Sequence, residues 1–273
     1  VTIHGSSPTV IEAKDANTTA LKLNGGEEIR NDFRLFYVQV PASKGKIEVS
    51  NLAPYFHGCQ FDGSTSFSQC SGEVQRTTMT VGLAITDSTL NFYDTKIQLG
   101  TNSGPDQNLT IISSTVNAYR CEVTGDKEVN FDGSVVDFTW TTTALAGGTW
   151  TTTDSVLRGV KADWTDDINA TATSVVQLVK TTHAGNVIIG NDQVVDGHLV
   201  TLNGLTIGSG SSATMSKLTA NGTTSIGTDA AFELNKGTLT AISLGQGSGN
   251  ILNRVVQGQT NLLTDVGLIM NWV

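Results

Sequence analysis

Charged residues are scarce in this sequence, and basic residues are the scarcest of them. The 273 residues include 16 Lys and Arg against 25 Asp and Glu, which gives a formal net charge of -9 at pH 7. The charged fraction is 15%, whereas an average globular domain has about 25%. Nucleic-acid-binding proteins present a basic face to the phosphate backbone, so we expect this acidic chain to bind no nucleic acid.

Long apolar runs and a complete set of cysteines are also missing. No run of about 18 apolar residues occurs, so we expect no membrane-spanning helix. The cysteines are three in number, Cys59, Cys70 and Cys121, so a Cys59–Cys70 bridge and free buried thiols are both open. His57 with Cys59 and Cys70 matches no zinc-site spacing and lacks a fourth ligand, so we expect neither a metal nor a cofactor.

The chain is instead rich in Gly, Thr and Asn, with 29 Gly and only 4 Pro. Hydrophobic residues make up 38% of the chain, which argues against disorder. Thr favours strands and Gly favours tight turns, so the composition predicts an all-β fold of many short strands.

A repeat of about 18 residues organises the C-terminal third. Four aliphatic residues, each followed by Gly, lie 18, 19 and 18 positions apart: Ile189, Ile207, Ile226 and Leu244. Asn203-Gly204 and Asn221-Gly222 precede two of them. This period predicts a β-solenoid, in which the four residues stack in one inward ladder and Asn-Gly supplies positive φ angles at a corner. The alternative is an ordinary antiparallel β domain whose hairpins share the spacing.

Three regions are predicted along the chain. Residues 1–58 form a smaller antiparallel β region, with a possible extended arm at 1–24 and a hairpin of 34–40 with 46–50. Residues 59–250 form the solenoid, which resembles a parallel β-helix. Within it, Asn169 to Lys180 is the only plausible helix, although a strand fits Val175 to Val179 equally well. Residues 251–273 form an apolar tail that either caps the solenoid or contacts another subunit.

The coil marks from Ile189-Gly190 to Leu244-Gly245 and the apolar tail after Asn250 resemble phage tail-spike and tail-fibre proteins. The resemblance implies a homotrimer that binds, and in some members cleaves, bacterial surface glycans. No catalytic signature of these proteins can be matched residue by residue. Pectin-lyase-like enzymes and bacterial surface adhesins share the architecture, so the fold alone does not choose a function.

Acidic and aromatic residues cluster between Asp137 and Asp167. Aromatic faces pack against the C–H side of a sugar ring, and carboxylates accept hydrogen bonds from its hydroxyls. The residues that we expect to bind a ligand are Trp140, Trp150, Trp164, Asp163, Asp166 and Asp167. The alternative is structural, with Trp filling wide coils and Asp capping turns.

Three functions are compatible with these features. The first is a non-enzymatic extracellular or virion structural protein, a fibre or spike subunit that binds a cell-surface glycan. The second is a polysaccharide depolymerase that uses carboxylates of the 137–167 cluster, for which no catalytic residue can be named. The third is a cell-surface filament or layer subunit whose arm, residues 1–24, adds a strand to a neighbour. We expect a homo-oligomer, either a trimer or a filament.

Overall fold

The structure is a computed structural model that describes residues 2–10, 19–25, 32–41, 46–100, 108–145, 148–262 and 267–271. The chain divides into two compact units, unit 1 (Val1–Gly148) and unit 2 (Thr149–Val273). The described residues form strands and no helix, and the strands pair in parallel to give about 11 solenoid turns in all. The predicted all-β solenoid is therefore confirmed.

Unit 1 contains strands β1 to β18. Their bounds are β1 Thr2–Val10, β2 Thr19–Asn24, β3 Asp32–Val40, β4 Lys46–Ser50, β5 Ala53–His57, β6 Gln60–Phe61, β7 Thr65–Ser68, β8 Ser71–Gln75, β9 Thr78–Val81, β10 Leu83–Thr86, β11 Thr89–Tyr93, β12 Lys96–Leu99, β13 Leu109–Ile112, β14 Thr115–Tyr119, β15 Glu122–Gly125, β16 Val129–Asp132, β17 Val135–Thr139 and β18 Thr142–Leu145. They form three parallel stacks. The first is β2, β4, β7, β10, β13 and β16, the second is β1, β3, β5, β8, β11, β14 and β17, and the third joins β3 to β6, β9, β12, β15 and β18.

The alternation of apolar and polar residues in these strands places one ladder of side chains inside each stack. In the first stack, five residues in register are each 1% exposed: Val49, Phe67, Ile85, Ile111 and Phe131. Complete burial of such a side chain stabilises the fold by about 1.5–3 kcal/mol. Phe residues therefore fill much of the interior of unit 1.

The antiparallel hairpin predicted for residues 34–50 is not confirmed. β3 pairs in parallel with β1, β5 and β6, and β4 pairs in parallel with β2 and β7. Alternation of apolar and polar residues identifies the buried face of a strand but not the direction of its neighbour. The sequence pattern therefore could not distinguish antiparallel from parallel pairing here. In the described part of residues 1–24, β1 and β2 pair with strands of the same chain.

Single left-handed residues turn two corners of the coils of unit 1 between β4 and β17. One corner column has φ values of 49° to 55° and consists of Asn51, Gln69, Asp87, Ser113 and Gly133. The other has φ values of 47° to 63° and consists of Gly58, Arg76, Asp94, Arg120 and Trp140. Only Gly adopts this conformation without cost, and Asn and Asp tolerate it best among the others, so several of these residues are held by the surrounding coils.

Small hydrogen-bonding side chains follow the left-handed residues and line the inside of each corner. The Cys70 N–H donates to Ser88 Oγ at 3.0 Å, the Ser88 N–H to Ser114 Oγ at 3.0 Å, and the Ser114 N–H to Ser134 Oγ at 3.1 Å. Each serine hydroxyl donates in turn to the carbonyl two residues before it. The result is a continuous polar ladder that satisfies buried backbone groups.

The three cysteines take serine-like places in these corners. All three are free and buried, and Cys59 and Cys121 follow the left-handed Gly58 and Arg120, whereas Cys70 follows Gln69. Each thiol lies within hydrogen-bond range of two backbone carbonyls, such as Leu35 and His57 for Cys59. Burial raises the pKa of all three thiols, that of Cys121 to about 11. Of the two possibilities left open for Cys59 and Cys70, free thiols are the ones observed.

Unit 2 contains strands β19 to β33. Their bounds are β19 Thr149–Thr153, β20 Val156–Val160, β21 Asp163–Trp164, β22 Asp167–Thr171, β23 Val175–Val179, β24 Thr182–Ile189, β25 Val194–His198, β26 Val200–Ile207, β27 Ser212–Met215, β28 Leu218–Ile226, β29 Ala231–Leu234, β30 Gly237–Leu244, β31 Gly249–Asn253, β32 Val255–Leu262 and β33 Gly267–Asn271. From β24 onward, each coil has one long strand and one short strand, because β24 pairs with both β21 and β22. The region proposed as the only plausible helix is a strand, a turn and the strand β23.

The predicted inward ladder of unit 2 is confirmed. Ile189 pairs with Ile207, Ile207 with Ile226, and Ile226 with Leu244, and all four side chains are buried. The glycines that follow are required by close packing of successive coils, since a Cβ on Gly208 would lie 2.4 Å from the Gly190 carbonyl oxygen.

The role predicted for the Asn-Gly pairs is wrong. Gly204 and Gly222 lie inside β26 and β28 and do not have a positive φ angle. They lie where the register shifts between neighbouring long strands, and a Cβ on Gly222 would lie 2.9 Å from the Asn203 carbonyl oxygen. Lack of a side chain, rather than a left-handed backbone, is therefore what these positions need.

Candidate functional site

Two of the predicted ligand-binding residues lie in the core of unit 2. Trp150 and Trp164 are fully buried, and their rings stack with centroids 5.1 Å apart at 27°. Gly159 makes room for this pair, because a Cβ there would lie 2.7 Å from the Trp164 ring. His183 packs edge-on against Trp164 at 6.2 Å, and burial lowers its pKa. These rings fill a wide coil and present no surface to a ligand.

The predicted aspartates of unit 2 differ in exposure. Asp163 is exposed on β21, whereas Asp166 is buried and accepts a hydrogen bond from the Thr165 hydroxyl at 3.1 Å. Asp167 Oδ1 accepts from the Asn186 backbone N–H at 2.7 Å and from its Nδ2 at 3.2 Å. Asn186 lies just after the register shift of β24. The hydrogen bond from the Asn186 N–H to Asp167 therefore supports the backbone of unit 2, whereas Asp166 bonds to the side chain of its neighbour.

Trp140 in unit 1 is the predicted residue with the most exposed ring. It is the left-handed corner residue after β17, and 50% of its surface is accessible. Its column of corner residues borders the second stack, and aromatic side chains recur along that border. We call this set the aromatic ridge, and it consists of Phe36, Tyr37, Tyr55, His57, Tyr93, Tyr119 and Trp140.

At one end of the aromatic ridge, four rings from β3 and β5 pack together. Tyr55 and His57 stack at 6.4 Å with 7° between their planes, Phe36 lies 5.7 Å from Tyr55, and Tyr37 meets His57 edge-on at 5.8 Å. Tyr37 is 47% exposed, and its ring covers Gly58, where a Cβ would lie 2.7 Å away. A hollow of about 290 Å³ opens beside Phe36 and Tyr55.

Farther along, the ridge combines tyrosines with a fixed ion pair. Tyr93 and Tyr119 are partners in adjacent strands, with ring centroids 6.5 Å apart. Arg120 lies over the Tyr119 ring at 5.0 Å and forms a two-point pair with Asp94, at 2.7 Å from Nε and 2.8 Å from the second guanidinium nitrogen. The pair orients a flat guanidinium beside the exposed ring.

A column of polar side chains runs beside the ridge on the same stack. It consists of Glu73, Asn91, Asn117 and Asp137, in register from β8 to β17. Asn117 donates to Asn91 at 2.8 Å, and Gln75 joins Glu73 to Tyr55 through bonds of 3.1 and 3.3 Å. Aromatic faces next to hydrogen-bonding groups form a surface that suits the alternating C–H and O–H faces of sugars.

Trp140 is the one residue of this surface that was predicted from the sequence, although a signal for the others was present. Phe36, His57, Tyr93 and Tyr119 occupy one register column, each directly before a corner residue. The period was hidden because Gln75 takes the place of an aromatic residue and because the coil between Tyr93 and Tyr119 is longer than its neighbours.

Other kinds of site find little support in the parts of the chain that the structure describes. No group of three or more His, Cys, Asp or Glu residues could hold a metal ion there. None of the described segments is a helix that could cross a membrane. Comparison of the chain with protein-family models, curated proteins and solved structures gives no match.

Proposed function

We propose that this chain is an extracellular or virion structural subunit, a fibre or spike, that binds a cell-surface glycan through the aromatic ridge. The observation that carries the proposal is the row of exposed rings on unit 1, with Tyr37, Tyr119 and Trp140 exposed by 47%, 37% and 50%. Exposed large aromatic side chains in a row usually mark a binding surface. The tail-spike resemblance supports this function at the level of architecture.

The ridge suits an extended ligand better than a small one. Successive strands of a sheet lie about 4.8 Å apart, so rings on neighbouring coils present contacts in sequence along the stack, with Gln75 in place of a ring at one step. The described pockets of unit 1 are open hollows such as the one beside Tyr55. A polymer that lies across several coils would use many weak contacts at once.

The test is binding of a panel of purified bacterial surface polysaccharides to the wild-type chain and to Tyr119→Ala. Removal of the ring should weaken binding of the recognised polysaccharide by about 1 kcal/mol, or roughly fivefold. Ile112→Ala is the matched control, because Ile112 is also apolar and 38% exposed but lies on the first stack. Equal losses in the two variants, or binding of no polysaccharide by the wild type, would contradict the proposal.

We further propose that the subunit works as a homo-oligomer, a trimer or a filament. Its C-terminal region supports this only by its apolar sequence; in the described residues, β32 and β33 pair with β30 and β31. Light scattering of the intact chain at micromolar concentration tests the assembly, and a monomer would contradict it.

A further inference from the structure

Basic residues of unit 2 lie almost entirely in one corner column. Unit 2 has six Lys and Arg residues, and five of them occupy one corner of successive coils: Lys161 before the two-residue strand β21, and Lys180, Lys217, Lys236 and Arg254 before the long strands β24, β28, β30 and β32. Leu199 holds the remaining place in the series, and the steps between the six positions are 19, 19, 18, 19 and 18 residues. We call the five basic residues the basic column.

Backbone hydrogen bonds show that the column is continuous. The Lys161 N–H donates to the Val179 carbonyl, the Lys180 N–H to that of His198, and the carbonyls of Lys217, Lys236 and Arg254 accept from Val200, Leu218 and Gly237. At about 4.8 Å for each coil, the six positions span roughly 24 Å. Charges on adjacent coils are thus closer than the Debye length of about 8 Å at physiological salt, whereas Lys180 and Lys217, with Leu199 between them, are about 10 Å apart.

The backbone does not require basic residues at this corner. Lys161, Lys180 and Arg254 are left-handed, whereas Lys217 and Lys236 are not, so the charge persists although the conformation changes. The other left-handed corner of unit 2 is filled mostly by Asp and Gly, which tolerate this conformation: it consists of Asp154, Ala172, Asp192, Gly210, Asp229 and Gly247. Like charges in a row also repel one another.

Local pairing with carboxylates does not account for the column either. All five side chains are exposed. Among the described residues, no ion pair involves Lys180, Lys217, Lys236 or Arg254. Four positive charges are thus held on an acidic chain with no acidic partner among the described residues, which favours a partner from outside.

Polar hydrogen-bonding side chains flank the basic column on both sides. On one side lie His198, Ser216, Asn235 and Asn253; Asn253 donates to Asn235 at 3.1 Å, and His198 Nδ1 bonds to Ser216 Oγ. On the other side, four threonines stand in register: Thr182, Thr201, Thr219 and Thr238. A groove of about 410 Å³ runs beside His198 and Ser216 and includes Asp196.

We propose that the basic column and its groove bind a linear polysaccharide that carries carboxylate groups. The cations pair with the carboxylates, and the flanking Thr, Ser, Asn and Asp196 side chains bond to sugar hydroxyls. Asp196 and the single row of cations disfavour a nucleic acid, whose phosphates carry one charge every 1.7 Å or so along a duplex. This site is separate from the aromatic ridge, so the inference does not depend on the ridge.

The test measures binding of polygalacturonate, with dextran as the uncharged polymer and a DNA duplex as the competing polyanion. Lys180→Gln, Lys217→Gln and Lys236→Gln are combined in one variant. We expect its affinity for polygalacturonate to fall about tenfold or more at about 50 mM salt. The slope of log K against the logarithm of the salt concentration should be shallower than that of the wild type by about 2. The corresponding triple Arg variant should retain binding.

A matched control removes three lysines from unit 1. Lys22, Lys96 and Lys127 each lie within 3.7 Å of a carboxylate, and their replacement by Gln changes the net charge equally. We expect this variant to bind polygalacturonate as the wild type does, and both variants to unfold at the wild-type temperature.

Four results would overturn the proposal. The first is that the wild type does not bind polygalacturonate at low salt, and the second is that both triple variants lose affinity for it equally. The third is that DNA binds as tightly as polygalacturonate. The fourth is that no polymer binds and the wild type instead self-associates at low salt, whereas the variant without Lys180, Lys217 and Lys236 does not. Self-association of this kind would indicate that the basic column binds the corner of a second copy that contains Asp154, Asp192 and Asp229. Loss of binding by Tyr119→Ala alone would concern the aromatic ridge and leave this site untouched.

Discussion

Corresponding corners of the two units carry different side chains, and in unit 2 the corner residues are not all left-handed. In unit 1, the corner beside the second stack presents Gly58, Arg76, Asp94, Arg120 and Trp140. Three of the strands before this corner end in His57, Tyr93 and Tyr119. In unit 2, the corresponding position before the long strands presents lysines and Arg254. A coil requires a turn at the corner but does not prescribe the exposed side chain, so the corners are where such a chain can acquire binding surfaces.

The interiors differ in a related way. Unit 1 stacks short strands of mostly 4 or 5 residues over a Phe-rich core, whereas from β24 onward unit 2 alternates long strands of 8 or 9 residues with short ones, and the long strands stack over an aliphatic ladder. Long strands need glycines where the register shifts and where the coils approach closely. The glycines therefore recur with the coil in unit 2, and this makes its period visible.

The largest effect should come from a charge inside the ladder of unit 2. Ile226→Asp should lower the free energy of unfolding by about 5 kcal/mol or more, because it removes a buried apolar side chain and leaves an unpaired charge between coils. Ser225→Asp is the control, since Ser225 is in the same strand but only half-buried on the opposite face. Urea unfolding measures both. Similar midpoints would show that Ile226 does not belong to a shared ladder.

Much of the fold of unit 2 could be predicted because one residue type marks each coil. Ile189-Gly190 and its three equivalents kept their spacing, and the ladder followed. In unit 1 the same 18-residue step separates Asn51, Gln69 and Asp87, but the residue type differs at each step and the column continues with Ser113 and Gly133, so no repeat was recognised. Strand direction could not be predicted either, since the alternation of apolar and polar residues in β3 and β4 fits parallel coils as well as a hairpin.

The candidate site was harder to predict because exposure depends on which wall of the coil a residue occupies. Trp140 and Trp150 are ten positions apart, yet one is half exposed and the other fully buried. The basic column was visible in principle as Lys-x-Thr at Lys180, Lys217 and Lys236. The basic column was not predicted, because a net charge of -9 for the whole chain does not indicate where the few Lys and Arg residues lie.

A smaller effect should distinguish the corner of unit 1 that contains Cys121. Burial raises the pKa of this thiol from its ordinary value of 9.0 to about 11. Below pH 9 the thiol is protonated in both states; between pH 9 and 11 it ionises only in the unfolded chain, so stability falls as the pH rises. The loss should reach about 2–3 kcal/mol at pH 11.

Cys121→Ser is the variant to compare, because serine occupies the equivalent corner place elsewhere in unit 1 and does not ionise in this range. The difference in free energy of unfolding between the two proteins should change by that amount from pH 8 to about pH 11. Equal pH profiles would mean that the thiol is not held in a buried corner. A thiol reagent that modifies folded Cys121 rapidly would lead to the same conclusion.

The smallest effect should show whether the basic column is retained for its charge. Lys180 is left-handed with φ 53°, whereas Lys217 is not. Lys180→Gly should therefore raise the free energy of unfolding by up to about 1 kcal/mol, since Gly removes the left-handed strain. Lys217→Gly should lower it by about 0.5–1 kcal/mol through the added freedom of the unfolded chain.

Both substitutions should weaken polygalacturonate binding to a similar degree, because each removes one charge from the column. A gain in stability together with a loss of binding at Lys180 would mean that this position gives up stability for binding. Opposite changes in binding at the two lysines would mean that backbone geometry, rather than charge, governs this corner.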